Sequence, residues 1–181
     1  MKHRELERKY LIEEVDLRKC YKLSRRALGG KYATKGLFCT TEDIYFRTPK
    51  KNSFLRIRRS LGSNTKMETE ELLEITYKKE DRGGIQNRLE FNWKLKDLTH
   101  AEEFFTILLG KESGRINKEE SILFLKDRSV ISFCKVKADG KIYLEIESDS
   151  FIKIRKIEKI LVPLFKGKLQ NISFFNQYIN I

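Results

Sequence analysis

Alternation of apolar and charged positions with a period of two runs through most of the chain. Over 54–58, Leu55 and Ile57 share one face while Phe54, Arg56 and Arg58 share the other. Over 74–78, Ile75 and Tyr77 oppose Glu74, Thr76 and Lys78; over 88–93, Leu89, Phe91 and Trp93 oppose Arg88, Glu90 and Asn92. Over 142–147, Ile142, Leu144 and Ile146 oppose Tyr143, Glu145 and Glu147. Successive side chains of a strand point to opposite faces of its sheet, so each segment has one apolar and one charged side. Segments 5–12, 43–47, 54–60, 72–79, 87–95, 121–126, 129–136 and 141–147 are short and rich in β-branched or aromatic residues, and predict strands. Gly62-Ser63-Asn64, Asp81-Arg82-Gly83-Gly84 and Ala138-Asp139-Gly140 supply turns, and the polar stretch 61–71 predicts an exposed loop.

Three segments switch to helical spacing. After Asp16, the residues Leu17, Cys20, Tyr21, Ser24 and Leu28 recur on one face, with Gly29-Gly30 as the stop. Thr99-His100-Ala101-Glu102 reads as a capping box ahead of Phe104, Phe105, Leu108 and Leu109, closed by Gly110. Phe151, Ile154, Ile157, Leu161 and Leu164 follow Ser150, and Pro163 is expected to end or kink that helix. The aromatic tail 172–181 is expected to dock.

Two segments carry paired acids. Glu5-Leu6-Glu7-Arg8-Lys9 places Glu5, Glu7 and Lys9 on one strand face, and Glu145-Ile146-Glu147 repeats the acid pair far along the chain. For a single strand, a charged face is an ordinary solvated one. Many such strands together can close into a barrel with a polar lumen, helices and loops covering the apolar outside. Buried like charges repel and are costly to desolvate. Carboxylates offset by Mg²⁺ or Mn²⁺, and arginines and lysines offset by phosphate oxygens, remove that cost together.

Composition narrows the partners. The 181 residues suit one domain, 1–181, and 38 basic against 26 acidic residues give a net charge of +12. That excess favours an anionic partner, although a solvated basic surface accounts for it equally. Cys20, Cys39 and Cys134 share no CxxC spacing, and His3 and His100 are the only histidines. A disulfide framework, a zinc site and a Ser-His-Asp triad are therefore not indicated. No stretch approaches the ~18 apolar residues of a membrane span, so a cytoplasmic protein without a membrane partner is expected. Trp93, Phe104, Phe105, Phe174 and Phe175 are expected to be packing residues, and the cysteines small hydrophobes.

The motifs taken together resemble a known family. Glu5-Leu6-Glu7-Arg8-Lys9 matches the ExExK signature of the CYTH group, the triphosphate tunnel metalloenzymes. Asp43-Ile44-Tyr45-Phe46-Arg47-Thr48-Pro49 resembles its D-x-Y-F-D-T-P segment, and Phe54-Leu55-Arg56-Ile57-Arg58-Arg59 its L-R-I-R-R strand. Ile75-Thr76-Tyr77-Lys78, Arg88-Leu89-Glu90 and Tyr143-Leu144-Glu145-Ile146-Glu147 follow in the family's order. The resemblance implies a mainly β (α+β) fold, a closed antiparallel eight-stranded β-barrel tunnel with flanking helices. It implies a metal-dependent triphosphatase acting on inorganic, nucleoside or organic triphosphate, with Mg²⁺ or Mn²⁺ as cofactor. A class IV-like adenylate cyclase, an RNA 5′-triphosphatase and a non-catalytic nucleotide- or polyphosphate-binding tunnel stand as alternatives. By position, Glu5, Glu7, Glu90, Glu145 and Glu147 are implied as metal ligands. Lys9, Arg56, Arg58, Lys78, Arg88 and Lys118 are implied as triphosphate ligands, with Lys9 and Lys78 also catalytic. The expected partner is a triphosphate-bearing small molecule, an RNA 5′ end being possible, and the expected state a monomer or homodimer. The chain departs from the pattern at Asn92, where a second acid is common, at Glu120, where a phosphate-binding Arg is common, and at Arg47 in place of Asp. On the penultimate strand, Cys134 or Lys135 stands where an acid is usual.

Overall fold

A computed structural model describes the backbone of residues 2–29, 33–50, 53–63, 69–79, 86–94 and 96–179. Side chains are described for 6–29, 35–50, 53–62, 71–78, 93–94 and 96–179. In chain order the elements are β1 (Lys2–Ile12), α1 (Leu17–Ala27), β2 (Ala33–Arg47), β3 (Ser53–Ser63), β4 (Thr69–Lys79), β5 (Gln86–Lys94) and α2 (Leu98–Leu109). They continue with β6 (Gly114–Leu125), β7 (Val130–Val136), β8 (Ile142–Ser148), α3 (Phe151–Leu164), β9 (Lys168–Gln170) and α4 (Phe174–Tyr178).

The strands lie in the order β5-β4-β3-β2-β6-β7-β8-β1-β9, and β1 pairs a second time, with β5. Every pairing is antiparallel. The β1–β5 ladder covers Lys2–Glu7 and returns the order of the first eight strands to its start along half of β1. Beyond Glu7 the same edge takes β9 through Lys9–Leu11. The expected antiparallel, mainly β fold is therefore present, but the described sheet has nine strands rather than eight and is not fully closed: β5 joins the seam over part of the height only, and β9 occupies the rest.

Apolar faces turn outward and are covered by helices. α1 and α3 bury Cys20, Ile154, Ile157 and Leu161 against Leu123, Ile131, Phe133, Ile142, Leu144 and Ile146. α2 covers Ile44, Phe46, Leu55 and Ile57 through Ala101. Arg115 fastens that helix by ion pairs to Glu102 on α2, to Glu112 at 2.7 Å and to Glu42 on β2 at 3.2 Å. Burying this much apolar surface is what holds the sheet curved around its charged interior.

Several local expectations need revision. α2 is capped by Asp97, not by a Thr99 box: the Asp97 carboxylate accepts the His100 N–H at 3.1 Å. A carboxylate two residues upstream supplies the acceptor first. Pro163 lies in the last turn of α3, and the helix stops one residue later. Residues 61–63 and 69–71 belong to β3 and β4, not to a loop, while 64–68 lie outside the described residues. Trp93 is half exposed and Phe104 more so, so neither is a core residue. Phe105 packs on the β2–β3 core as expected. Among the described residues no helix is long and apolar enough to cross a membrane.

Gly36 decides how α1 seats on β2. A Cβ there would lie 2.2–2.6 Å from the Tyr21 ring, and Tyr21 in turn packs on Phe38 at 5.2 Å. Gly36→Ala is expected to lower unfolding free energy by about 1–3 kcal/mol in a denaturant titration. The loss should shrink in a Tyr21→Ala background.

Candidate functional site

One residue parity of the strands turns inward, and on β1, β2, β3, β4, β6 and β8 it carries charged side chains. Lys9 and Glu7 on β1, Asp43 on β2, Lys78 on β4, and Lys118 and Glu120 on β6 are all buried. Arg56 and Arg58 on β3 and Glu145 and Glu147 on β8 are partly covered. Register sets the contacts: Lys9 lies opposite Glu145 and Glu7 opposite Glu147. Asp43 lies opposite Arg58, and Glu120 opposite Cys39 on one side and Cys134 on the other.

Asp43 is the centre of a buried ion network. Its carboxylate accepts from Arg58 Nε at 2.6 Å and Nη2 at 2.9 Å, and pairs with Lys118 Nζ at 2.8 Å. Lys118 reaches Glu120 Oε1 at 3.0 Å as well. Burial works to raise the Asp43 carboxyl, but Arg58, Lys118 and Arg56 hold it well below the usual carboxylate range. Burial likewise opposes ionisation of Glu120, and Lys118 and Arg58 overcome it, drawing the carboxyl down to about 2. Lys118 is pushed downward by burial and by Arg58, yet Asp43 and Glu120 keep it charged and above its ordinary value. Arg58 and Lys118, two of the cations implied as phosphate ligands, are thus held by internal acids.

The opposite wall differs. Burial, with the charge of Glu7, raises Glu145 to about 7. Cys134 donates its S–H toward Glu120 at 3.3 Å and Glu145 at 3.6 Å, and burial with those acids pushes the thiol well up. Cys39 lies 3.9 Å from Glu120 and is raised to about 11 by burial and Glu120. Crowded carboxylates with oxygen-only donors suit a hard divalent cation, which would relieve their repulsion. Among the described residues no three acids, thiols or imidazoles form a ready cage.

At one end the interior is filled by α4. Phe174 and Phe175 are buried with Tyr45, Phe54, Ile116, Val136 and Tyr143, so the tail docks as expected, though inside the ring rather than on its surface.

The CYTH domain model matches residues 3–171 of the chain. The chain belongs to the CYTH family. No curated protein matches it. Among solved structures it is similar to the PH1819 protein of Pyrococcus horikoshii OT3, with a TM-score of 0.73 at 21% identity, covering 97% of this chain and 98% of that one. It is also similar to a putative adenylate cyclase of Bacillus halodurans, with a TM-score of 0.63 at 15% identity and 98% of each chain covered. A putative adenylyl cyclase of Hippeastrum, described as having a dominant triphosphatase activity, gives a TM-score of 0.60 at 13% identity, with 96% and 94% covered. At these identities the likeness is one of fold.

Within this CYTH fold, the structure brings Glu7, Lys9, Arg56, Arg58, Lys78, Lys118, Glu145 and Glu147 to one interior. The side chains of Glu5, Arg88, Glu90 and Asn92 lie outside the described residues; their backbones place Glu5 opposite Arg88 and Glu90 opposite Lys78. Arg47 is exposed, and Cys134 rather than Lys135 is the buried residue at the acid position. Cys39 and Cys134 are therefore lumen residues, unlike Cys20, which is the small core hydrophobe expected. Sequence reasoning assigned no role to Asp43, whose D-x-Y-F context was visible, and missed Gln177, which no motif marks.

Glu120 ties acid stability to this network. Its folded pKa lies below its ordinary value of 4.5, so the charged pair stabilises the fold above pH 4.5, and that contribution fades as pH falls toward 2. Glu120→Gln is expected to cost on the order of 3 kcal/mol at neutral pH. The gap from wild type, read by denaturant titration across pH, should close between about pH 4.5 and 2.

Proposed function

We propose that this CYTH protein is a divalent-metal-dependent triphosphatase acting on inorganic triphosphate or a nucleoside or organic triphosphate. One observation carries the reading: Lys9, Arg56, Arg58, Lys78 and Lys118, from four strands, share a walled interior with Glu7, Glu145 and Glu147. Buried cations on all sides suit an anion with charge along its length, and the acids suit a cation that travels with it.

In this mechanism Glu7, Glu145 and Glu147 would hold the metal, with Glu5 and Glu90 as further candidate ligands. Bound Mg²⁺ or Mn²⁺ supplies Lewis acidity and offsets phosphate charge. Arg56 and Arg58 present forked donors to the phosphate oxygens, and Lys78 and Lys118 add point charges, with Arg88 a further candidate. As charge builds on the leaving phosphate, these fixed cations stabilise it without reorganising. Lys9, opposite Glu145 in the ladder, orients the phosphate under attack. Arg58 and Lys118 must share their positive charge between substrate and the acids Asp43 and Glu120, which moderates the affinity of this wall.

Phosphate and pyrophosphate release from tripolyphosphate, ATP, thiamine triphosphate and 5′-triphosphorylated RNA, with Mg²⁺ and then Mn²⁺, tests the proposal. Orthophosphate that disappears on chelation and falls by at least about a hundredfold in Glu145→Ala is the expected result. Pyrophosphate with cyclic AMP from ATP would make it a cyclase, and orthophosphate from RNA alone an RNA 5′-triphosphatase. Binding to immobilised polyphosphate without any release would make it a binding tunnel.

A further inference from the structure

The helices outside the ring carry a charge pattern that the interior does not use. In α1 and α3 together nine residues are basic and one, Glu158, is acidic. Glu158 turns toward β1, where it accepts from the Tyr10 hydroxyl and pairs with Arg8 Nε at 3.3 Å. The outward positions of α1 include Arg18, Lys22, Arg25 and Arg26, at i, i+4, i+7 and i+8. Those of α3 include Ile152, Arg155, Lys156, Lys159 and Ile160. Lys19 and Lys153 are taken up by Glu14 at 2.6 Å and Asp149 at 2.8 Å. Among the described residues no acid pairs with Lys22, Arg25, Arg26, Lys156 or Lys159.

The two helices are neighbours. Both bury their inner faces in one apolar cluster, Leu17 and Cys20 from α1 with Ile154, Ile157 and Leu161 from α3, so their outer faces adjoin. Aliphatic side chains interrupt the cations of α3: Ile152 is 69% exposed, Ile160 43% and Leu164 42%. A layer of phosphate headgroups over hydrocarbon matches both features, since Lys and Arg take the anionic headgroups while aliphatic side chains enter the acyl boundary. A nucleic-acid strand matches the charge alone. Its bases need rings or amides to stack on or pair with, and the exposed positions of α1 and α3 hold no aromatic, Asn or Gln residue.

We propose that the outer face of α1 and α3 is a docking surface for an anionic lipid bilayer, on which the protein settles without crossing it. Lys22, Arg25, Arg26, Arg155, Lys156 and Lys159 hold the headgroups, and Ile152, Ile160 and Leu164 seat at the acyl boundary. The expectation of no membrane partner rested on the lack of a spanning segment, which does not bear on such peripheral contact. The inner sides of the two helices cover β6, β7, β8 and β1 from outside, so a bilayer held there touches none of the residues of the charged interior. The surface is independent of what that interior hydrolyses.

Co-sedimentation of the full chain with vesicles tests the proposal. Vesicles of equal parts phosphatidylcholine and phosphatidylglycerol are expected to carry the protein down, and vesicles of phosphatidylcholine alone to leave it in solution. Lys156→Glu with Lys159→Glu should weaken binding by about tenfold or more, and Ile152→Ser with Ile160→Ser by about fivefold. Lys96→Glu with Lys111→Glu makes the same change in net charge beside α2 and should weaken it by less than about twofold. All six residues are exposed, and Tm measured on each variant checks that it is folded. Equal losses in the two lysine pairs, full retention in Ile152→Ser with Ile160→Ser, or no capture by the anionic vesicles would overturn the surface. Single-stranded RNA is the competing ligand. If it binds more tightly than the vesicles at the same salt, and Ile152→Ser with Ile160→Ser leaves its affinity unchanged, the face is a nucleic-acid surface and the bilayer proposal fails.

Discussion

A single buried carboxylate organises the interior. Asp43 is fully enclosed, yet it holds Arg58 through two hydrogen bonds and Lys118 through one ion pair. Leaving such a charge unpaired costs several kcal/mol, and so does leaving either cation without it. Three strands are therefore joined by charge as well as by ladder hydrogen bonds: β2 through Asp43, β3 through Arg58, β6 through Lys118. Glu120 extends the network toward Cys39 and Cys134. The cations stay ionised and in place inside a curved sheet that would otherwise expel them.

The same network explains how the chain accommodates its departures from the family pattern. An acid at Glu120 does not simply remove a phosphate-binding cation; it becomes the second partner of Lys118. Cys134, standing where an acid is common, leaves Glu145 with a thiol neighbour at 3.6 Å and with Glu7 as its main charged competitor. The two walls of the cavity are consequently unlike. On the β2–β3–β6 side Asp43 and Glu120 offset Arg58 and Lys118, while the β1–β8 side keeps crowded acids whose repulsion a cation would relieve.

Much of this was legible because period-two alternation survives wherever one strand face meets a helix. Leu55 and Ile57 against Arg56 and Arg58 give both the strand and its orientation, and Ile142, Leu144 and Ile146 do the same for β8. Legibility fails where that contrast fails. In Gly114–Glu120, Arg115, Asn117 and Glu119 face outward while Lys118 and Glu120 face inward, so both faces are polar and no period marks the first half of β6. The first half of β2 is obscured by Gly36, whose place is dictated by Tyr21. Asp43 gave no signal of its own because its partners lie 15 and 75 residues away in sequence. The docked tail read as apolar, but its position inside the ring depends on rings and hydroxyls gathered from β2, β3 and β8.

The central claim is that the acids and the cations form one cavity built for a metal and a triphosphate together. Calorimetric titration of non-hydrolysed tripolyphosphate analogue into the protein, with Mn²⁺ present and with Mn²⁺ removed by chelation, tests it most directly. The account predicts that each ligand strengthens the other's binding by about tenfold or more, and that Lys118→Met and Glu145→Ala each abolish that coupling. Equal affinity with and without the metal, unchanged in both variants, would place the anion on the basic surface and contradict the account.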